Sequence, residues 1–464
     1  MKKIKKKLKI YNPKLHEECG VFGISNNSDA STLTALGLHA LQHRGQEGCG
    51  IVSFDGKKYH LEKHFGLVGD NFNKEEILKK LPGNCAIGHN RYSTTGGTTL
   101  RNLQPFFADL HGGGIGVAHN GNLTNALTLR EKLVKEGSIF YTTSDTEVVV
   151  KLIAKSNRPE TIDKIIDALF QIQGGYSLVM VTNNTLIGVR DPHGIRPLVI
   201  GKLKNSYIFT SETCALDIIG AKYVREVENG ELVYVENDVL KSVKPFPIKK
   251  PRPCVFEYIY FSRPDSILNG KTAYEHRKNL GKELAKENDI DADIIVPVPD
   301  SGNAAALGFA QHLGKNFEYG LIRNHYVGRT FIEPSQKIRS LGVKLKLNAN
   351  KSSIKKLRED GINIPIILVS ALVVDESIKK EFQGFLQQLL RTLSDGIVAL
   401  VILGLLILEN ANQKNIADEG LNEEEAKKER DNRDEDLCLG GYFYVEDCYR
   451  QDFYKTFNFT RPFI

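Results

Sequence analysis

Cys19 stands behind Glu17-Glu18 and heads a short apolar run, CGVFGIS (19–25), that carries glycines at 20 and 23. A thiol becomes a nucleophile only when a base takes its proton. If the chain is cut before Cys19, the freed α-amino group, with a pKa of roughly 7.7–8.0 in peptides, can be that base, and no partner histidine is needed. On its own chemistry a strand-initial cysteine is more often a buried structural thiol. Four polar clusters outweigh that expectation: His43-Arg44-Gly45-Gln46, Gly88-His89-Asn90-Arg91-Tyr92-Ser93-Thr94, Ala118-His119-Asn120-Gly121-Asn122 and Ser144-Asp145-Thr146-Glu147. Each lies beside a glycine or at the end of an apolar strand. An amide-bearing amino acid such as glutamine offers a carboxylate, an ammonium and a carboxamide. Arg91 can grip the carboxylate with both arms of its guanidinium, and Asp145 can pair with the ammonium. The Asn120 side chain and the Gly121 backbone N–H can donate to the oxyanion of a tetrahedral intermediate.

Positioning these groups calls for several strands and helices. Cys19–Ser25, Gly50–Phe54, Cys85–His89, Gly114–His119 and Ser177–Val181 read as strands. Thr32–Gln42, Thr124–Glu136, Thr146–Ala154 and Ile162–Ile172 read as helices, several opened by Thr or Asn caps. The glycines at 20 and 23 are expected to admit a neighbouring chain or a ligand. A Pro- and Lys-rich stretch, KPFPIKKPRP (244–253), breaks the periodicity and marks a domain boundary. Beyond it a helix is expected over Lys271–Glu287, then a strand over Ile294–Pro299, the loop to Asn303 and an Ala-rich helix from Ala304. That order predicts an α/β domain with a parallel sheet.

At 464 residues the chain is too long for one core. Its net charge of +6 is concentrated in the first 18 residues, which hold seven lysines against two glutamates, so the body is nearly neutral. A basic face for nucleic acid is not expected. The lysine-rich start lacks the apolar stretch of a secretory signal. The twelve apolar residues Ile397–Leu408 fall short of the roughly 20 that span a membrane. Seven cysteines, an odd number in a large chain, fit a reducing cytoplasmic compartment, most of them as small buried hydrophobes. Residues 418–436 are almost wholly charged, and the segment from Cys438 to Ile464 is rich in aromatics.

The motifs CGVFGI, LHALQHRGQEGCGI, GHNRYSTTG, AHNGNL and SDTEV together resemble the class II, N-terminal-nucleophile glutamine amidotransferases. DPHGIRPLVIG (191–201), FTSETCAL (209–216), EYIYFSRPDS (257–266) and IVPVPDSGNAAALGF (295–309) extend the resemblance to the amidophosphoribosyltransferase family, from about residue 17 to about residue 354. That family moves glutamine nitrogen onto phosphoribosyl pyrophosphate (PRPP), giving phosphoribosylamine at the opening of purine synthesis. The resemblance implies an α+β glutaminase domain of αββα architecture over 19–250, after a propeptide at 1–18. It implies an α/β phosphoribosyltransferase-like domain over 251–408, with a charged segment and aromatic tail at 409–464. Carried over by position, Cys19 is the nucleophile, Asn120 and Gly121 form the oxyanion hole, and Arg91 and Asp145 hold glutamine. Asp300, Ser301 and Gly302 meet PRPP, with Asp375 and Glu376 on its ribose side. Ser301 and Asp375 would hold Mg²⁺. A propeptide-bearing branch also holds a 4Fe–4S cluster, for which Cys254 and Cys438 match ligand positions while Gly441 stands where a further Cys belongs. Purine nucleotides as feedback inhibitors and a homo-oligomer are implied as well.

The resemblance breaks late in the chain. Members carry an apolar strand ending in two acids and then a loop rich in Gly and Thr. Here IPIILV (364–369) runs into Ser370-Ala371, and Asp375-Glu376 is followed by Lys379-Lys380-Glu381-Phe382. A glutamate there repels a phosphate, and Phe382 blocks close backbone approach. Three readings stay open on sequence: the complete amidotransferase, a glutaminase with a dead transferase half, and a non-catalytic scaffold.

Overall fold

The computed structural model describes residues 19–92, 99–110, 113–183, 185–287, 294–326 and 345–350, and the strand at 366–369. The chain divides into two compact units between Cys254 and Val255.

The first unit begins with β1 (Gly20–Ile24), α1 (Ala30–Ala40), β2 (Gly48–Phe54), β3 (Tyr59–Phe65) and β4 (Cys85–Arg91). It continues through β5 (Phe106–Leu110), β6 (Gly113–Leu123), α2 (Ala126–Lys135), α3 (Thr146–Lys155) and α4 (Thr161–Leu169). It closes with β7 (Gly174–Thr182), β8 (Thr185–Arg190), β9 (Val199–Leu203), β10 (Ser206–Thr210), α5 (Cys214–Ile218), β11 (Lys222–Glu226), β12 (Leu232–Glu236) and β13 (Val239–Val243). One sheet runs β11-β9-β10-β1-β4-β2-β3 and the other β13-β12-β8-β7-β6-β5, with antiparallel neighbours throughout.

Alternation along each strand builds the layers. In β1, Val21 enters the core shared with Val179, Val181 and Leu186 of the other sheet, while Phe22 and Ile24 pack beneath α1. In β7, Val179 and Val181 face inward and Leu178 and Met180 face the cluster built with α3 and α4. Antiparallel sheets often leave one face to water. Here helices cover both outer faces, so the central strands are apolar on both sides, and the result is the expected αββα sandwich.

The glycines of β1 admit neighbouring parts of the chain, the first of the two expected occupants: a Cβ at Gly20 would lie 3.1 Å from Leu41 Cβ, and one at Gly23 2.6 Å from Val179 Cγ1. One local expectation fails: the helices over 30–40, 126–135, 146–155 and 161–169 have no side-chain cap hydrogen bond. Asn125 instead bonds Gln171 O and Gln173 N, tying α2 to the start of β7.

In the second unit the helix is Ala273–Glu287, shorter than expected, because Lys271–Thr272 pairs with Ile267–Leu268. Thr272 and Glu275 there form a reciprocal capping box, N–H to carboxylate at 3.0 Å and N–H to hydroxyl at 3.1 Å. Ile294–Pro297 lies between Asn316–Phe317 and Ile366–Val369, parallel to both. The helix Asn303–Leu313 ends on left-handed Gly314. It crosses Ala273–Glu287 so closely that a Cβ at Gly281 would meet Ala305 O and one at Gly308 would meet Lys278 O. This is the expected α/β arrangement with a parallel sheet.

Candidate active site

Cys19 precedes β1, and the pairing Gly20↔Asn90 brings it beside the end of β4. Its Sγ lies 3.4 Å from both the carbonyl oxygen and the backbone nitrogen of Tyr92. The thiol can therefore donate to that carbonyl, and a thiolate can accept from that N–H, which favours the charged form. Arg91, the last residue of β4, is buried; its guanidinium donates to the Asn102 carbonyl, and its Nε lies 3.9 Å from a Glu47 carboxylate oxygen.

The other sheet supplies the next groups through β6. Asn120 is fully buried, and neither end of its amide has a hydrogen-bond partner among the described residues. Gly121 beside it has φ +143°, and a Cβ there would lie 2.1 Å from Gly175 O. No residue with a side chain fits that place.

Asp145 stands where a cap for α3 would be, but its Oδ2 accepts from Leu123 N at 2.9 Å, across to the end of β6. Its Oδ1 lies 3.4 Å from both the Ser144 and Thr146 hydroxyls. Cys19, Arg91, Tyr92, Gly121 and Asp145 line one cavity, together with His89 and His119. A larger cleft between α2, α3 and α4 holds the ion pairs Lys155–Glu136 and Arg158–Asp167 and none of these groups.

The two histidines do not serve Cys19. His89 Nε2 bonds the His119 carbonyl at 3.1 Å and His119 Nδ1 meets the Thr146 hydroxyl at 3.0 Å, while the remaining ring nitrogens have no hydrogen-bond partner. Burial, with the charge of Arg91 second, draws His89 down to about 3. Burial likewise lowers His119 against the pull of Asp145. Both shifts favour the neutral ring, and neither ring is hydrogen-bonded to Cys19. Burial also pushes Cys49 and Cys85 up to about 12, so these thiols are inert packing.

In the second unit Asp300, Ser301 and Gly302 form the turn between Ile294–Pro297 and Asn303–Leu313. Gly302 N–H donates to Val298 O at 3.0 Å, so it is engaged within the turn rather than presented to a phosphate. The Asp300 carboxylate pairs with Arg323. Cys254, in the first unit, is half-buried and its N–H donates to Ile195 O at 3.2 Å. Among the described residues no group of three or more His, Cys, Asp or Glu is arranged to hold a metal. Asp375, Glu376 and Cys438 lie outside the described residues, as does the apolar run 397–408. No described helix is long and apolar enough to cross a membrane.

A glutamine amidotransferase domain model matches residues 89–217. The amidophosphoribosyltransferase of Rhizobium etli is 58% identical over 349 residues, 74% of this chain and 70% of that one. The chain belongs to the amidophosphoribosyltransferase family. Chloroplastic amidophosphoribosyltransferase 2 of Arabidopsis thaliana is 51% identical over 370 residues, which cover 79% of this chain and 64% of that one. A solved glutamine PRPP amidotransferase from B. subtilis, complexed with ADP and GMP, superposes with a TM-score of 0.72 at 42% identity, covering 80% of this chain and 79% of that one.

Within this family member, some of the site was not visible in the polar clusters. Gln104 accepts from His119 N at 2.8 Å and donates to the Thr146 hydroxyl at 3.1 Å, bracing the wall that carries Asp145. Asn102 ties Arg91 to Thr143. Glu212, inside FTSETCAL, is fully buried and bonds both Arg44 and His43. A charged residue between a strand and a short helix reads as a surface turn, and only the folded chain shows otherwise.

Proposed function

We propose that this chain is a glutamine-dependent amidophosphoribosyltransferase whose nucleophile is Cys19, exposed by removal of residues 1–18. The observation that carries the reading is that Cys19, Arg91, Gly121 and Asp145 line one cavity, while Asn120, the neighbour of Gly121, keeps a buried amide without a partner among the described residues. In the uncut chain Cys19 N is an amide and no base. Cleavage makes it an amine, which takes the thiol proton. The thiolate then attacks the glutamine carboxamide carbon, and Asn120 with Gly121 N–H stabilises the oxyanion. The ammonium formed returns its proton to the leaving nitrogen, ammonia departs and a thioester remains. Water cleaves the thioester to glutamate and restores the thiol.

Arg91 and Asp145 fix the substrate by its two charged ends. Asp145→Asn is expected to raise KM for glutamine about 100-fold with a smaller change in kcat, because a buried charge pair is lost while the reacting groups stay. Arg91→Lys is expected to raise KM about 10-fold, since the charge remains but the planar fork does not. Initial rates of glutamate release check both.

Ammonia passes to PRPP, forming a C–N bond at the ribose as pyrophosphate leaves. Asp300 and Ser301 would meet the phosphates in the turn that Gly302 closes through its N–H to Val298 O, with Asp375 and Glu376 on the ribose. Mg²⁺ would be held by the oxygen donors Ser301 and Asp375 and would neutralise pyrophosphate charge. Cys254 would be one ligand of an iron–sulfur cluster, and no step is assigned to that group. Purine nucleotides are the proposed regulators, the B. subtilis structure with ADP and GMP being the support. A homo-oligomer in the cytoplasm completes the reading.

Amide-labelled glutamine, with and without PRPP and Mg²⁺, tests it. Label is expected in phosphoribosylamine when PRPP is present and in free ammonia when it is absent. Label confined to ammonia in both arms refutes the transferase step and fits the Ser370-Ala371 departure. No release in either arm refutes the glutaminase.

A further inference from the structure

Arg44 and Glu212 are side chains with no solvent exposure, paired at 2.6 Å directly behind the nucleophile. Arg44 Nε donates to the backbone carbonyl of Cys19 at 3.1 Å, and Arg44 Nη1 donates to Glu212 Oε1. His43 Nε2 meets the same carboxylate oxygen at 2.6 Å. The chain leading to Glu212 is itself held in place: Ser211 Oγ accepts from Val21 N at 3.0 Å, Ser211 N donates to Val21 O at 3.0 Å and the Thr210 hydroxyl donates to Val21 O at 3.2 Å. The chain just before Glu212 is thus stitched to the second residue after Cys19. Burial alone would raise the Glu212 carboxyl, but His43 and Arg44 outweigh it and hold it well below the usual range. It is ionised throughout the working pH range.

A buried ion pair is an expensive way to hold two loops together, and apolar packing often does as well. What apolar packing cannot do is fix a carbonyl oxygen in one direction and supply a charge at that point. We propose that Glu212 is a positioning residue for the nucleophile: through Arg44 it fixes the Cys19 carbonyl, and with it the direction in which the thiol and the freed α-amine are presented. The inference rests on the reading of Cys19 as the N-terminal nucleophile.

Charge gives the proposal a signature beyond packing. The α-amine lies within one residue of the carbonyl that Arg44 grips. Other ionisable groups around Cys19 are Arg91 and Glu47 on the β4 side, and Asp145, His89 and His119 in the cavity wall. All of these stay in place when Glu212 alone is changed. Glu212→Gln keeps an oxygen for Arg44 but removes the negative charge. The unbalanced Arg44 then disfavours the protonated amine, and its pKa falls. A base with a lower pKa is free at lower pH, so the acid limb of glutamine hydrolysis moves down.

The experiment uses processed full-length protein and follows glutamate release from about pH 5.5 to 9. Glu212→Gln is expected to shift the acid limb down by about 0.5 unit or more and to lower kcat about 10-fold, with KM for glutamine nearly unchanged. Glu212→Asp keeps the charge but shortens the reach to Arg44. It is expected to lower kcat while the limb stays in place, and it carries the test if the Gln protein does not fold. A folded Gln variant with wild-type kcat and wild-type limb overturns the inference, as does an Asp variant with wild-type kcat. If the wild-type protein itself releases no glutamate, the reading of Cys19 has failed and the inference goes with it. If wild type turns over and the variants match it, the inference alone has failed.

Discussion

Cys19→Ala is expected to cut glutamine hydrolysis by about 10⁴-fold or more, because no covalent route remains and water must attack an unactivated amide. The fold should survive. Cys19 is 5% exposed and small, so losing its sulfur costs on the order of 1 kcal/mol. Neither Cys49 nor Cys85 can substitute, since burial pushes each up to about 12. Cys49→Ala and Cys85→Ala are therefore expected to turn over glutamine at the wild-type rate. Glutamate release by the three variants, with thermal melts beside it, separates the chemistry from the packing. Turnover by Cys19→Ala within tenfold of wild type would remove Cys19 from the mechanism.

Residues grouped by their neighbours in sequence were legible as candidates; residues that meet distant partners were not. Arg91, Asn120, Gly121 and Asp145 each sit in a compact polar run at the end of an apolar strand, and a strand end is where a sheet can present a side chain to a cavity. The strand–loop–helix order over 294–313 likewise announced a parallel sheet, because each step is local. Glu212 meets Arg44 at a separation of 168 residues, and nothing in SET distinguishes a buried ion pair from an exposed turn. The same limit explains the caps. Asp145 and Asn125 have the right type and place to cap their helices, yet tertiary partners take both side chains, Leu123 N in one case and the start of β7 in the other. The β1 glycines left a neighbouring chain and a ligand both open, and the opposite sheet fills the space at Gly23 with Val179. Local chemistry indicates that room is needed and does not say for what.

Asn120→Ala is expected to lower kcat by about 100- to 1000-fold while leaving KM for glutamine close to wild type, since an oxyanion donor acts only once the carbonyl has been attacked. Stability should move the other way. The Asn120 side chain is fully buried with both amide atoms lacking a partner among the described residues, a state that costs a folded protein roughly 1–3 kcal/mol. Alanine removes that cost and leaves a small cavity whose penalty is of similar size. The melting temperature is therefore expected to hold or rise as activity falls. A purely structural asparagine would behave differently, because its loss would strand a partner and lower stability and rate together. Gly121 cannot be probed in the same way: a Cβ there would sit 2.1 Å from Gly175 O, so any substitution disturbs the sheet before it reports on the oxyanion. Asn120 is thus the proposed donor at which catalysis and folding can be separated, and paired kcat and melting measurements on one variant decide between them.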